Sequence, residues 1–385
     1  MTELSGKEVP LVSFVVIAYN VEAYIQRCLR SVLAQVGAPF EVVVVDDAST
    51  DATRERIDEV AARDSRVRVV AKERNEGAHL ARRTGAAHTR GRFVYFIDGD
   101  DELSLHALAL MRGIVTSRQA EIYRLGCRVV SCGEESEASS VLVERALNRE
   151  TGHVRDEEIL LRAFGGLSGV RDSWSVVTCL YEGAFCRAAF AAMADVRMGY
   201  MEDAYEFFVL ASRASRLENA PDLIAFTYYL GAGRSGYGFM ALDVFCSRQR
   251  EVHALVREVA AFAEADGRET LRFCAEWFER ECLRTLSNEW TVRLQPADQV
   301  AAVPALAETW GIASTCTMLA SPLMGRATWV LQDDARLSDQ LFHAWRAEWD
   351  RLAAEAALPH EQEFADLAAA LTQVDARMAM RDGAA

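Results

Sequence analysis

An unbroken apolar run at residues 93–97, Phe-Val-Tyr-Phe-Ile, stops abruptly in Asp98-Gly99-Asp100-Asp101. A run of that length, rich in aromatic and β-branched residues, predicts a strand covered on both faces of a sheet. Like charges gathered at the end of such a strand cost free energy unless a cation offsets them. The cluster therefore reads as a metal site, and its all-oxygen donors favour Mg²⁺ or Mn²⁺ over zinc. In an open α/β sheet, ligands collect at the carboxyl ends of the strands, which is where these acids fall. Taken alone, such a cluster reads more readily as a solvated acidic turn, so the neighbouring segments have to decide.

Those segments repeat the pattern. Residues 11–18 form a second apolar run, halted at Tyr19-Asn20, and residues 40–45 a third, which runs into Asp46-Asp47-Ala48-Ser49-Thr50-Asp51. Between them Tyr24, Cys28, Leu29, Val32 and Leu33 recur at helical spacing. Thr50 or Asp51 is placed to cap the helix that follows. A short strand at 67–71 and a helix at 77–89 complete a strand–helix alternation, the pattern of a right-handed, mostly parallel sheet. Polar residues end at least three of these strands, a decoration that buried strands do not need for stability. The turn after the first strand lacks G-x-G-x-x-G, and no G-x-x-x-x-G-K-[ST] occurs. Phosphate would then be met by metal and by arginines such as Arg82 and Arg83.

At 385 residues the chain has room for two or three domains. Its net charge of −15 argues against nucleic acid or an anionic membrane surface as partner. No apolar run approaches ~18 residues and no basic-then-apolar leader is present, so neither a transmembrane helix nor a signal peptide is expected. Nine scattered cysteines without a C-x-x-C pair point to reduced thiols in a cytoplasmic protein.

Four motifs in order, Val-Ser-Phe-Val-Val-Ile-Ala-Tyr-Asn, Val-Val-Val-Val-Asp-Asp-Ala-Ser-Thr-Asp, Asn75-Glu76-Gly77 with Ala81-Arg82, and Phe-Ile-Asp-Gly-Asp-Asp, resemble family 2 glycosyltransferases of the GT-A fold. The resemblance is close over about residues 11–115 and fades towards 235. It implies an α/β GT-A domain over 1–238 with a nucleotide-binding set of Ala18, Tyr19, Asn20, Asp47, Arg82, Asp98 and Gly99. Asp47 would read the nucleobase, favouring UDP or TDP, and Asp98 with Asp100 would hold Mn²⁺ or Mg²⁺. It also implies Asp203 of the Glu202-Asp203 pair as the catalytic base, 103 residues after Asp100. Without the resemblance, two acids opening a helix are simply favourable partners of its dipole. Trp174, in a Trp-Ser-Val-Val-Thr-Cys-Leu-Tyr segment, and Arg234 with Ser235, in a glycine-rich stretch at 231–238, are acceptor or loop candidates. The sequence departs from the family pattern at Ile17-Ala18, Arg83 and Cys179, and it has no histidine in the 231–238 stretch.

Residues 131–153 read as a polar, aperiodic loop, and 120–130 and 222–230 as further strands. Beyond residue 240 glycine becomes scarce and amphipathic patterns cover 240–265, 268–292, 297–310 and 334–381. Phe273, Trp277, Phe278, Cys282 and Leu286 form the expected core stripe of a helical region, 239–385, suited to acceptor binding or homodimerisation. The leading expectation is an inverting, metal-dependent glycosyltransferase acting on a glycan, peptide or natural product. A catalytically silent scaffold is the second reading. A sugar-1-phosphate nucleotidyltransferase is the third, but it calls for a glycine-rich basic loop where this chain has Tyr19-Asn20-Val21-Glu22.

Overall fold

The computed structural model describes residues 9–133, 136–150, 152–166, 172–232, 238–355 and 362–383. The chain divides into two compact units, Met1–Gly236 with Arg257–Trp277, and Tyr237–Val256 with Phe278–Ala385.

The first unit is built on a nine-stranded sheet. In chain order its elements are β1 (Val12–Ala18), α1 (Ile25–Leu33), β2 (Phe40–Asp46), α2 (Thr53–Ala61), β3 (Val67–Ala71), α3 (Ala78–Ala87) and β4 (Phe93–Asp98). There follow β5 (Glu102–Leu103), α4 (Ala107–Ser117), β6 (Ile122–Ser131), α5 (Glu137–Leu147), β7 (Val154–Arg155), α6 (Glu157–Phe164), β8 (Cys179–Glu182), α7 (Gly183–Ala191), α8 (Glu202–Arg213) and β9 (Arg216–Leu230). The strand order is β3-β2-β1-β4-β8-β6-β9-β5, with β7 paired to β9. β1, β2, β3 and β4 run parallel, as do β6 and β9, while β8 joins the two sets through antiparallel pairings.

Every residue of β1 and β2 is buried, as their composition predicts, which forces the few polar members to find partners. Ser13 donates to Glu41 Oε1 at 2.7 Å and accepts from the Gly91 amide at 2.8 Å. α1 turns Ile25, Cys28, Leu29 and Val32 inward. Asp51 stands one residue before the N-cap of α2 and accepts from Thr53 N at 2.9 Å, so it caps the helix from just outside.

Three sequence expectations need correction. Residues 137–147 form a helix and not a loop, started by Ser136, whose hydroxyl accepts from Ser139 N. The last strand begins at Arg216, before Pro221, because a register irregularity at Gly126 lets β6 follow it through that proline. Phe273 is 46% exposed. The buried stripe of its helix runs instead through Cys274, Phe278, Cys282, Leu286 and Trp290, spaced four residues apart.

The second unit is helical. The chain beyond residue 240 contains α9 (Leu242–Asp266), α10 (Glu269–Arg293), α11 (Pro296–Trp310), α12 (Ile312–Val330), a short 3-10 turn (Asp334–Ser338), α13 (Gln340–Glu355) and α14 (Gln362–Gly383). At the core of this unit Trp290 packs against Trp345 with ring centroids 4.8 Å apart and donates to Gln299 O at 2.8 Å. α12 was not expected from sequence. It carries Pro322 in its interior, a residue that weakens a helix prediction.

A Cβ added at Gly126 would lie 1.9 Å from Pro221 O, a backbone atom that cannot swing aside. Gly126→Ala should therefore lower the unfolding free energy by about 3 kcal/mol or more, measured by denaturant titration. Gly113→Ala, in α4 with no atom within 4 Å of the new methyl, should raise it by about 0.5–1 kcal/mol.

Candidate active site

The parallel register sets three chain ends level, with Ala18 opposite Asp46 and Ile17 opposite Asp98. The turns leaving β1 and β2 are tied together. Asn20 Oδ1 accepts from Thr50 N at 2.8 Å, and Asn20 N donates to Ser49 Oγ at 3.1 Å. Asn20 and Ala48 hold φ values of 51° and 61°. Such left-handed backbone in non-glycine residues costs energy and persists where surrounding contacts fix it. The result is a fixed platform on which Tyr19, 43% exposed, presents its ring.

Asp47 is buried at the edge of this platform. Its carboxylate accepts from Gly77 N at 2.7 Å, Glu76 N at 3.0 Å and Asn75 Nδ2 at 3.0 Å, with Lys72 Nζ at 3.6 Å. It thereby anchors the turn that starts α3, where Gly77 adopts φ 87°. A carboxylate offers about four lone-pair sites, so protein donors already engage most of Asp47.

The acids after β4 crowd one another. Burial and then the charge of Asp98 push Asp100 up to about 6. Burial, Asp100 and Asp98 raise Asp101 well above the usual carboxylate range. Asp101 faces inward, accepting from Tyr229 N at 2.9 Å with its Oδ1, while its Oδ2 is buried without a hydrogen bond. The turn is braced from behind by Arg27, which donates to Asp100 O at 2.6 Å, lies 3.2 Å from Glu102 and stacks 3.8 Å over the Tyr229 ring. Gly99 fits where a Cβ would meet Ile17 O at 3.0 Å. Among the described residues no three His, Cys, Asp or Glu side chains form a ready-made metal cage. Two mutually repelling carboxylates, Asp98 and Asp100, nevertheless fit a hard cation of the kind that fills its remaining positions with phosphate or water.

Arg82 joins the two sides of the site. Reaching from α3 and nearly fully buried, it donates through Nη2 to Asp98 Oδ1 at 3.1 Å. Nη1 donates to Glu202 Oε1 at 3.0 Å and to Glu206 Oε2 at 3.2 Å. Its donors thus face three carboxylates, and its place in the site is that of a tie between β4 and the start of α8. Asp203 sits in the same acid cluster. Burial, then the charges of Glu202 and Glu206, raise it to about 7 against the pull of Arg82. Met201, which precedes the pair, has φ 58°.

Sequence reasoning missed Glu206 and His79. Both are completely buried, and His79 Nδ1 lies 3.1 Å from Glu206 Oε1. The available signal was a lone acid within the otherwise apolar run of α8, which includes Tyr205, Phe207, Phe208 and Val209. Trp174 is half-buried and stacked on Phe164, ring centroids 5.7 Å apart and 16° from parallel. Arg234 and Ser235 lie outside the described residues. All nine cysteines are unpaired, and no described helix is long and apolar enough to cross a membrane.

Residues 13–172 match the family described as "Glycosyl transferase family 2". The chain is 31% identical over 160 residues to "Uncharacterized glycosyltransferase EpsJ" of Bacillus subtilis, covering 40% of this chain and 46% of that one. It is 48% identical over 94 residues to "Succinoglycan biosynthesis protein ExoO" of Rhizobium meliloti, covering 24% and 26%. The matched part thus spans less than half of each of these relatives. In fold, the chain is similar to S. aureus TarS 1-349 in complex with UDP-GlcNAc, with TM-score 0.56 and 18% identity over 91% of this chain and 93% of that one. The shared arrangement is the GT-A type of α/β sheet followed by helices.

The raised pKa of Asp203 carries a stability consequence. Its carboxyl holds a proton more tightly folded than unfolded, so the wild type loses stability as pH rises from its ordinary value of 3.8 through about 7. Asp203→Asn removes that loss. The variant should be more stable than wild type at pH 8, by a few kcal/mol at about 1.4 kcal/mol per unit, and so melt higher, with the gap closing below pH ~4 in thermal melts across the range.

Proposed function

We propose that the chain, which matches glycosyltransferase family 2 through residues 13–172, transfers a sugar, with inversion, from a nucleoside diphosphate sugar to a glycan, peptide or natural-product acceptor. The observation that carries the proposal is the Arg82 tie, which brackets Asp98 of the Asp98-Gly99-Asp100 turn and Glu202-Asp203 of α8 around one guanidinium. An inverting displacement needs charge handled on opposite sides of the anomeric carbon, and this arrangement supplies both sides.

Asp203 is assigned as the base. Its carboxylate takes the proton of the acceptor nucleophile as that oxygen bonds to the anomeric carbon, while the bond from that carbon to the donor phosphate breaks and the nucleoside diphosphate departs with the bonding electrons. A proton affinity near 7 suits this task, because the group is substantially ionised at neutral pH yet basic enough to accept. Asp98 and Asp100 are assigned to Mn²⁺ or Mg²⁺, which when bound offsets charge building on the leaving diphosphate. Tyr19 and the Ala18–Asn20 turn are assigned to the base and ribose. Asp47 is assigned to a uracil or thymine edge, acting with the turn it holds, so UDP or TDP is favoured. For residues 239–385, where the sequence offers no catalytic constellation among the described residues, acceptor contact or self-association is the role proposed. The unpaired cysteines support a reducing compartment, the cytoplasm.

In a thermal-shift panel of UDP, TDP, GDP and CDP with Mn²⁺, with Mg²⁺ and with EDTA, one nucleotide should raise the melting temperature only with metal, and Asp100→Ala should abolish the rise. With the matching sugar nucleotide, nucleotide release should increase with pH through a limb near 7. Asp203→Asn should reduce it by about 10²–10⁴-fold. A flat panel would instead support the catalytically silent scaffold.

A further inference from the structure

Behind the acids assigned to chemistry lies a second, fully buried layer. His79 Nε2 is 3.0 Å from Ala194 O. A carbonyl only accepts, so Nε2 carries the hydrogen. The other ring nitrogen, Nδ1, is 3.1 Å from Glu206 Oε1, a contact that requires one proton shared between ring and carboxyl. The remaining oxygen, Glu206 Oε2, accepts from the same Arg82 nitrogen that donates to Glu202. The chain of contacts therefore runs from the Ala194 carbonyl through His79, Glu206 and Arg82 to Asp98 on one side and Glu202 on the other.

Resting on the transferase reading above, we propose that Glu206, held by His79, is a positioning residue that couples the Asp98 side of the site to the Asp203 side. Glu206 lies three residues after Asp203 in α8, close to one helical turn. Fixing its carboxylate between two side chains of α3 therefore fixes the turn that carries Asp203. The same contact divides the charge of Arg82. With one proton held between His79 and Glu206, the guanidinium keeps more of its field for Asp98 and Glu202.

The charges around this pair come from several elements. Arg82 and His79 face Glu206 from α3, and Glu202 from its own helix. Tyr181 of β8 and Cys186 of α7 both feel its charge, while α6 meets α8 through Phe164 against Phe207 and Phe208. Asp203 is acted on by Glu202, Arg82 and Glu206. The His79–Glu206 pair, sharing one proton beyond that on Nε2, carries no net charge, so a change that preserves its shape and leaves the ring neutral should leave the acids of α8 as they are in wild type.

Glu206→Gln is such a change, because the amide oxygen still accepts from Arg82 and the amide nitrogen donates to His79 Nδ1. Initial rates of UDP release from UDP-GlcNAc with Mn²⁺ would be followed from pH 5.5 to 9 for the full chain, Glu206→Gln and Glu206→Ala. The rising limb of Glu206→Gln should stay within about 0.3 pH unit of wild type with its plateau within a few-fold, because the amide keeps both contacts. The plateau of Glu206→Ala should fall at least about tenfold with its circular dichroism retained. A Glu206→Gln plateau that falls as far as that of Glu206→Ala, or a Glu206→Ala plateau within twofold of wild type, would overturn the proposal.

The second arm needs no turnover. In ¹⁵N–¹H spectra of the His79 ring, Nε2 should carry hydrogen throughout in wild type, and Glu206→Gln should leave Nδ1 bare. A wild-type ring protonated only on Nδ1, or a Glu206→Gln ring whose Nδ1 keeps its proton, would overturn the pairing. A wild type that releases no UDP counts against the transferase reading with this donor, and the proposal then stands or falls on the histidine spectra.

Discussion

One guanidinium facing three carboxylates is the constraint on which the rest of this site depends. Arg82 is buried with Asp98, Glu202 and Glu206 as its hydrogen-bond partners, and a buried cation of this kind is tolerable only when its charge and its donors are both met. The acids are in excess, so the balance cannot be complete. That excess is visible as raised proton affinity on Glu206 and Asp203, which burial and their neighbours push up together. The tie also fixes geometry. β4 follows α3 closely but α8 lies far along the chain, and Arg82 reaches Asp98 across 16 positions and Glu206 across 124.

The sheet makes that tie possible. Because β1, β2 and β4 are parallel and in register, their carboxyl ends arrive side by side, and each must turn at the same level. The turns are then welded by side chains: Asn20 to Ser49 and Thr50, Asp47 to the amides of Glu76 and Gly77, Arg27 to the carbonyl of Asp100. Hydrogen bonds to charged groups are the stronger ones, and here they hold loops that carry left-handed backbone at Asn20 and Ala48. A preorganised site of this sort relies on rigid support behind the residues that meet the ligand.

Much of this was legible in the chain because it is local. The fully apolar runs of β1, β2 and β4, the acids that end them and the helical spacing of α1 all lie within windows of about ten residues. What was not legible depends on long-range partners. Glu206 reads as one acid in an apolar helix until His79, 127 positions away, is brought against it. The helix at 137–147 was hidden by a Glu- and Ser-rich composition that favours turns and caps, until the Ser136 hydroxyl is seen to start it. Phe273 illustrates the opposite error. An aromatic at roughly the right spacing was placed in the stripe, whereas the four-residue ladder through Cys274 and Phe278 is the buried one. Arg82 was visible as a motif residue, but its commitment to three acids could only follow from the packing of α8 against α3.

The two carboxyl groups that bracket the tie differ in a way that matters for chemistry. Asp100 rises to about 6 through burial and the charge of Asp98, its near neighbour in sequence, a repulsion that any bound cation would reverse. Asp203 rises to about 7 through burial and the acids of its own helix, and Arg82 works against that rise. A cation at the Asp98 turn would leave the helical acids where they are, so loading would push the two groups apart, Asp100 towards full ionisation and Asp203 left in the neutral range. Two carboxyls of similar starting acidity would thereby be separated in proton affinity by their surroundings. On the helical side the separation depends on Arg82, which works against the rise of Asp203 while also holding Asp98.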